Sequence, residues 1–404
     1  MSQAAVIEAV GEPAAAEKVD AFRLSLLAVG HAVTDSYGQS LLAPMFPQIA
    51  ARLGLSLAQV GGLPMMMGLS ASLAQPLLGM LSDRYPRWCF VALGPLLAAL
   101  IIGFVGHAHT YWQLAFLLFC AGIGIGAYHP QGATLARLAG RGSSLAMSAF
   151  TVGGNVGFGL APIMGGLYVE WFGLERLYFA ALPALVFAVV MGFAFYSGPG
   201  MPAAVRKGAA QARGGRSQPW ALAALTATVV VRSVVQIGMT TFLPFLIQRR
   251  FPQEAHGTLA SVSVSAFLLA SAFAGPLGGH LSDRFGRRRL MIWTFLLAPL
   301  PLYLGMQQGG LGLIPLLAFG AFILMLPHPG NVVMAQEFMP RSAGIAASLI
   351  TGLAWGLAQV LVLPLGGMAD RVGLVPALTA LCFVPLLGVA LVLPIPGETQ
   401  RGRR

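Results

Sequence analysis

The sequence predicts an all-α membrane protein: twelve transmembrane helices forming two six-helix halves, each half built from two inverted three-helix repeats. The first observation behind this prediction is composition. The 404 residues are 57% hydrophobic and only 9% charged, where a soluble domain carries roughly 25% charged residues, and the mean hydropathy is +0.77. The second is a series of apolar runs at about 22–48, 57–82, 88–106, 112–138, 144–169, 175–197, 220–247, 257–282, 289–307, 311–338, 342–369 and 374–395. Each is long enough for ~30 Å of hydrocarbon, which takes about 20 residues of helix. They are too long and too uniformly apolar for transmembrane β-strands, which alternate in short segments. These runs are spans 1–12 below.

The third observation is an internal repeat. Gly79-Met-Leu-Ser-Asp83-Arg84-Tyr-Pro-Arg87 returns 200 residues later as Gly279-His-Leu-Ser-Asp283-Arg284-Phe-Gly286-Arg287-Arg288. Weaker copies close each half at Gly165-Gly-Leu-Tyr-Val-Glu170 and Gly366-Gly-Met-Ala-Asp370-Arg371. Asp83 to Glu170 and Asp283 to Asp370 are both 87 residues, and His129-Pro130 and His328-Pro329 are a further pair 199 apart. The 87-residue shift joins loops on opposite membrane faces, so the three-helix units are inverted. The 200-residue shift keeps sidedness, so the halves are parallel repeats.

The domain boundaries follow. A cytoplasmic tail covers 1–21, the first half 22–197, a linker 198–219, the second half 220–395, and a basic cytoplasmic tail 396–404. The first twenty residues hold four acids and lack a basic segment before an apolar core, so they do not read as a signal peptide. Arg206, Lys207, Arg213 and Arg216 lie in the linker among Gly, Ala and Pro, as a flexible hinge between rocking halves would. The formal charge of +11 does not imply a nucleic acid partner, because its distribution is topological. With the N-terminus inside, Arg52, Arg176, Arg249, Arg250 and Arg371 fall outside and Arg232 within span 7, leaving 18 of the 24 Lys and Arg on the cytoplasmic side. That is the positive-inside pattern of a multi-pass protein of the cell inner membrane with both termini cytoplasmic. Cys89, Cys120 and Cys382 lie in separate spans as small packing residues, without metal spacing. No cofactor is expected, and no enzyme. Gly122-Ile-Gly-Ile-Gly126 sits in an apolar helix with no preceding strand, there is neither a P-loop nor an HExxH, and no nucleotide-binding domain is present.

Asp35 is the residue that points to function. Of 13 acidic residues it is the one placed near the middle of an apolar run. A carboxylate at mid-bilayer costs ~2.5–3.5 kcal/mol on insertion scales and usually marks a pathway, relay or binding site. His31 is four residues earlier, hence on the same helical face. His129, roughly nine residues from the cytoplasmic end of span 4, lies at the depth of His31; Arg232, about twelve residues into span 7, lies level with Asp35.

The segment GGHLSDRFGRRR resembles the signature loop of the major facilitator superfamily, and the nested repeats match that superfamily's organisation. The resemblance implies that Gly79, Asp83, Arg84 and Arg87, with Gly279, Asp283, Arg284, Gly286, Arg287 and Arg288, balance inward- and outward-facing states. Pro86 stands where the second copy has Gly286. Ser148–Gly166 resembles the helix-5 motif of proton-coupled drug exporters, with Gly157, Pro162, Gly165 and Gly166 in place. Three further pieces, His31-Ala-Val-Thr-Asp35, Tyr128-His129-Pro130-Gln131 and Phe150-Thr-Val-Gly-Gly-Asn155, are similar to the fosmidomycin-resistance branch of bacterial drug exporters. Thr34, Gln131 and Thr151 depart from that branch's usual residues.

In the superfamily, helices 1, 4, 7 and 10 line a central cavity, so Asp35, His31, His129 and Arg232 are expected to meet in one polar chamber. Asp35 would carry the coupling proton with His31 as its partner, and Arg232 would hold the opposite half or bind an anionic group; a structural Asp35–Arg232 pair is the competing reading. His129, Gln131, Asn155, Gln236, His328, Asn331 and Gln359 complete the expected substrate cavity, each with helix packing as its alternative. His129 and His328 have no evident third metal ligand, so no metal site is expected, and Glu337 is expected to pair with Arg341. The function implied is secondary active transport by a monomer: proton-coupled efflux of small drug-like or anionic molecules across the bilayer by alternating access. Uptake or uniport of an organic anion, or a non-transporting receptor, are the alternatives.

Overall fold

The computed structural model describes residues 19–82, 85–141, 143–196, 217–253 and 257–397. Asp83, Arg84, most of the 198–219 linker and most of both tails lie outside the described residues. Among those described the chain is all-helical, and eleven helices are long and apolar enough to cross a membrane. These are spans 2–12. Span 1 differs: Ala21–Ser36 ends at Tyr37, Gly38 is extended (φ −70, ψ −175), and Gln39–Leu42, a 3₁₀ turn over Ala43–Met45 and Phe46–Leu53 continue the path. Glycine is a poor helix former, and the Tyr37 hydroxyl is drawn sideways to donate to the Ala180 carbonyl of span 6 at 2.5 Å.

Prolines interrupt other spans. Span 9 divides before Pro299, span 10 at Leu326–Pro327, and span 12 before Pro385, because proline lacks the amide that the helix ladder needs. Span 4, by contrast, runs unbroken over Tyr111–Ala139 with Pro130 inside it. His129-Pro130 and His328-Pro329 are therefore repeat partners in sequence but not in local geometry. Span 11 carries a π-helical turn at Leu349–Leu353.

The halves meet along two helix pairs, spans 2 with 11 and spans 5 with 8. Both pairs are tight on the face opposite the chain ends, here the distal face. A methyl group at Gly61 would fall on the Val362 carbonyl, and one at Gly366 on the Leu57 carbonyl. Small residues thus let backbones touch. On the other pair, Ser265 Oγ accepts from the Ile163 amide at 3.0 Å. Two acids complete the closure. Asp370 accepts from the amides of Leu57 and Ala58 at 2.9 and 2.8 Å, at the start of span 2 in the other half. Glu170 accepts from the Thr258 hydroxyl at 2.5 Å, at the start of span 8. These are the two acids that the 87-residue spacing singles out, and each sits at the positive end of a helix dipole across the pseudo-twofold.

Toward the face of the chain ends the pairs part. A methyl group at Gly79, Gly279 or Gly344 would meet nothing within 4 Å. The close contacts between the halves named here are therefore concentrated toward the distal face.

Replacing Asp370 by Asn should weaken distal closure by about 0.3–2 kcal/mol, the worth of a carboxylate at a helix N-terminus, and so shift the open population by roughly two- to thirtyfold. Spin labels at His109→Cys and Gly310→Cys, one on each half's distal loop, in a background lacking Cys89, Cys120 and Cys382, should report a longer distance. An unchanged distribution refutes the gating role.

Candidate functional site

The site is made possible by how closely span 1 approaches span 5. Span 1 starts cleanly, with the Asp20 side chain accepting from the Arg23 amide at 3.0 Å, and its next turns present Ala28, His31, Ala32 and Asp35 toward span 5. There the chain has glycine. A methyl group at Gly153 would strike the Ala28 carbonyl and one at Gly157 the Ala32 carbonyl. One at Gly154 would lie 2.6 Å from both Asp35 Oδ2 and His31 Nε2. With the backbones this close, His31 Nδ1 donates to the Phe150 carbonyl at 2.9 Å, and the two rings stack with centroids 4.3 Å apart. Tyr128 of span 4 is fully buried and donates its hydroxyl to the Leu27 carbonyl at 2.5 Å.

Span 4 then delivers His129. Its Nε2 lies 3.4 Å from Asp35 Oδ1, and His31 Nε2 lies 3.4 Å from Asp35 Oδ2. The carboxylate is thus bracketed by two imidazoles, one per oxygen. Both separations exceed the usual ~2.7–3.2 Å of an N–H···O bond. The Nδ1 proton of His31 is committed to Phe150, so a neutral His31 turns the Nε2 lone pair toward the carboxylate. A proton on either partner makes this a donor–acceptor contact. The side chains stay partly open, 31% exposed for His129, 20% for Asp35 and 12% for His31.

Arg232 does not join this chamber. It is 1% exposed; one guanidinium nitrogen donates to the Met325 sulfur and another to Ser233 Oγ at 3.2 Å, while Nε has no partner. No carboxylate reaches it among the described residues. Span 7 touches the distal part of span 1, Ala43–Leu53, beyond the Gly38 break, so depth along the sequence did not translate into contact. His328 of span 10 is within electrostatic reach of Arg232. His328 Nδ1, Gln236 Oε1 and Asn331 Oδ1 are also buried without partners. The expected single chamber is therefore two clusters: Asp35 with two histidines in the first half, and an uncompensated guanidinium among neutral polar groups in the second. Buried polar atoms left unpaired are costly; Gln236 lies one helical turn from Arg232, and Asn331 one turn from His328.

The remaining expected residues divide. Gln131 is 2% exposed and buried in span 4, whereas Asn155 is exposed. Gln359 of span 11 fills the space over Gly68 of span 2, where a methyl group would overlap its amide. Gly157 serves the span 1 contact, Gly165 lies against Leu41 and Gly166 against Ser261 of span 8, and Pro162 lies inside unbroken span 5. In the gating loop Gly286 has φ +89, a conformation that favours glycine, while Pro86 starts span 3 at φ −58. The two copies turn differently. Arg288 donates to the Val392 and Leu393 carbonyls at 3.4 and 2.5 Å, at the end of span 12. Arg287 pairs with Glu337 at 2.7 Å. The expected Glu337–Arg341 pair is corrected: the helix ends at Phe338 and Pro340 opens a 3₁₀ turn, so the i,i+4 geometry is lost. Asp283 and Arg284 are exposed and Arg87 begins span 3. Sequence reading missed the Phe150 carbonyl and the close approach of His31 and Asp35 to Gly154; the paired glycines at 153 and 154 were the available signal.

Comparison with known proteins agrees with this architecture. The sequence profile of the Major Facilitator Superfamily matches residues 31–257 and 230–403. YfnC of Bacillus subtilis (strain 168), an uncharacterised transporter of that type, is 28% identical over 387 residues, covering 92% of each chain. The fosmidomycin resistance protein of Escherichia coli (strain K12) is 27% identical over 387 residues, covering 91% of each. The multidrug resistance protein MdtG of Proteus mirabilis is 23% identical over 325 residues, covering 76% of this chain and 79% of its own. Among solved structures, a bacterial homologue of the human lysosomal transporter Spinster, inward-facing and unoccupied, superimposes with a TM-score of 0.76 at 16% identity over 94% of this chain and 97% of its own. The nucleoside transporter NupG gives 0.70 at 12% identity over 93% and 97%. Members of this family move solutes rather than catalyse reactions, and the chain belongs to the Major Facilitator Superfamily of membrane transporters.

Proposed function

We propose that this transporter is a proton-coupled exporter of small anionic or drug-like molecules in the bacterial inner membrane, working by alternating access. The observation that carries the reading is the Asp35 carboxylate bracketed by His31 Nε2 and His129 Nε2, each 3.4 Å away: three titratable groups placed to share a proton. The coupling cation in this reading is a proton shared among Asp35, His31 and His129. In this reading the terminal face, which carries the excess of Lys and Arg, is cytoplasmic.

Export follows from charge placement. A substrate enters from the cytoplasm while Asp35 is unprotonated. Its anionic group compensates Arg232, which no carboxylate reaches among the described residues. The halves rock, the distal contacts of Asp370 and Glu170 release, and the cavity faces outward. A proton arriving from the acidic side occupies the Asp35 cluster and neutralises it, so the empty carrier returns without an exposed buried charge. Resistance to fosmidomycin and to multiple drugs, in the names of the Escherichia coli and Proteus mirabilis relatives, supports the direction.

Two outcomes are expected in proteoliposomes with an imposed pH gradient, assayed with a phosphonate antibiotic and with a cationic amphiphilic dye. Asp35→Asn should abolish the gradient-driven component, a loss of at least about tenfold, while exchange at equal pH persists; removing an intramembrane relay residue uncouples transport without removing the path. Gradient dependence surviving in Asp35→Asn would sink the proton role, and wild-type accumulation indifferent to the gradient would favour uptake or uniport. Arg232→Met should weaken phosphonate transport by about 10- to 100-fold, the worth of ~1.5–3 kcal/mol for a charged hydrogen bond, and leave the dye unaffected. Equal loss of both substrates would make Arg232 a structural residue.

A further inference from the structure

We propose that His31, Asp35 and His129 form a binding site for a divalent first-row transition cation of the zinc class. The inference rests on ligand geometry and is independent of which cation drives transport. The three side chains can each offer one donor atom, His31 Nε2, His129 Nε2 and a carboxylate oxygen of Asp35, all within 4.8 Å of one another.

The spacing matches metal better than hydrogen bonding. A tetrahedral Zn²⁺ with bonds of ~2.0–2.1 Å to His nitrogen and carboxylate oxygen places its ligand atoms about 3.3–3.4 Å apart. Each imidazole stands 3.4 Å from a different oxygen of the carboxylate, too long for a tight N–H···O bond and close to one ligand–ligand separation of such an ion; either oxygen can be the carboxylate donor, with the three donor atoms within 4.8 Å of one another. Two imidazoles with one carboxylate select Zn²⁺, Co²⁺ or Ni²⁺ over Mg²⁺ and Ca²⁺, which prefer all-oxygen ligand sets.

The surroundings are those of a metal site. A ligating histidine characteristically gives its other ring N–H to a carbonyl, which fixes the ring and aims the free lone pair. His31 does this with the Phe150 carbonyl at 2.9 Å, its ring held flat against Phe150. The space beside the donors is kept clear by Gly154, where a methyl group would stand 2.6 Å from Asp35 Oδ2 and His31 Nε2. His129 remains 31% exposed, leaving a coordination position toward the cavity for water or a donor atom of a solute. Three protein ligands with one open position describe an exchangeable ion rather than a structural one. Metal and proton use the same lone pairs, so each excludes the other.

The test is equilibrium binding by the purified full-length chain in detergent, without a polyhistidine tag, and it is read without any flux. Titration with Co²⁺ should give one equivalent per chain with the visible d–d band of a tetrahedral ion, abolished by Zn²⁺. His129→Ala and His31→Ala should each weaken binding by about 100-fold or more, and Gly154→Ala by about 10- to 100-fold, the range found when the support of a metal ligand is removed. His107→Ala/His109→Ala, which alters exposed distal histidines, should change nothing. A monodisperse elution profile and an unchanged melting temperature show that each variant is folded; should His31→Ala unfold, His129→Ala alone decides, since its side chain is the most exposed of the three. No Co²⁺ band in the wild type, a band that survives in His129→Ala, or one lost in the His107/His109 variant overturns the proposal. Proton-coupled flux can fail with this site intact, and the site can fail with flux intact.

Discussion

An ionisable carboxylate inside an apolar bundle has to be faced by something that can carry positive charge, and here the backbone of span 5 decides what that is. Because Gly153, Gly154 and Gly157 have no side chains, the Ala28 and Ala32 carbonyls of span 1 can rest on span 5. That contact brings the Phe150 carbonyl within reach of His31 and turns the imidazole edge toward Asp35. Span 4 is then held beside them by the Tyr128 hydroxyl on the Leu27 carbonyl, which sets His129 on the remaining carboxylate oxygen. A larger residue at any of the three glycines would push the helices apart and leave a buried carboxylate without its partners, the expensive case for a charge in low dielectric.

The absence of an Asp35–Arg232 pair in this state has a mechanical meaning. A desolvated ion pair across the halves costs about 3–5 kcal/mol to break by losing one partner, which would hold the halves in one state. The chain instead keeps opposite charges in separate halves, each within a cluster of neutral polar groups. In the proposed reading each cluster takes a mobile species, so that occupancy biases the equilibrium between states as far as the occupant binds them differently. The Met325 sulfur and Ser233 hydroxyl at Arg232 are weak or single acceptors, poor substitutes for an anion that hydrogen-bonds in the guanidinium fork.

Much of this was written in the sequence, because spacing survives where contact does not. The 200- and 87-residue repeats gave the topology, and they marked Glu170 and Asp370, which the fold uses as matching clamps on helix starts. The i,i+4 step from His31 to Asp35 and the similar depth of His129 gave the first cluster. Depth failed for Arg232, because a helix interrupted at Gly38 no longer carries one face along its whole length, and span 7 packs only beyond the interruption. Helical spacing failed for Glu337 because the helix ended one residue later. The role of the Phe150 carbonyl was invisible for a different reason. A backbone acceptor has no sequence signature, and only the crossing of two glycine-bearing helices reveals it.

The loop between spans 8 and 9 lies at the terminal face, away from the distal contacts. Arg288 sits on the last carbonyls of span 12 and Arg287 on Glu337 at the end of span 10, so the loop after span 8 is anchored wholly within its own half. The turn is made by Gly286 at φ +89, while the equivalent turn in the first half is made by Pro86; one copy is permissive and the other preset. Among the contacts that join the halves are the distal glycine contacts, the Ile163 amide on Ser265 and two carboxylates on helix starts, the last worth about 0.3–2 kcal/mol each. A handful of such terms is large enough to define a resting state and small enough for the binding of one solute to overturn. That balance is what a machine with two faces requires, and it is set by where the chain places its acids relative to helix N-termini rather than by any single strong bond.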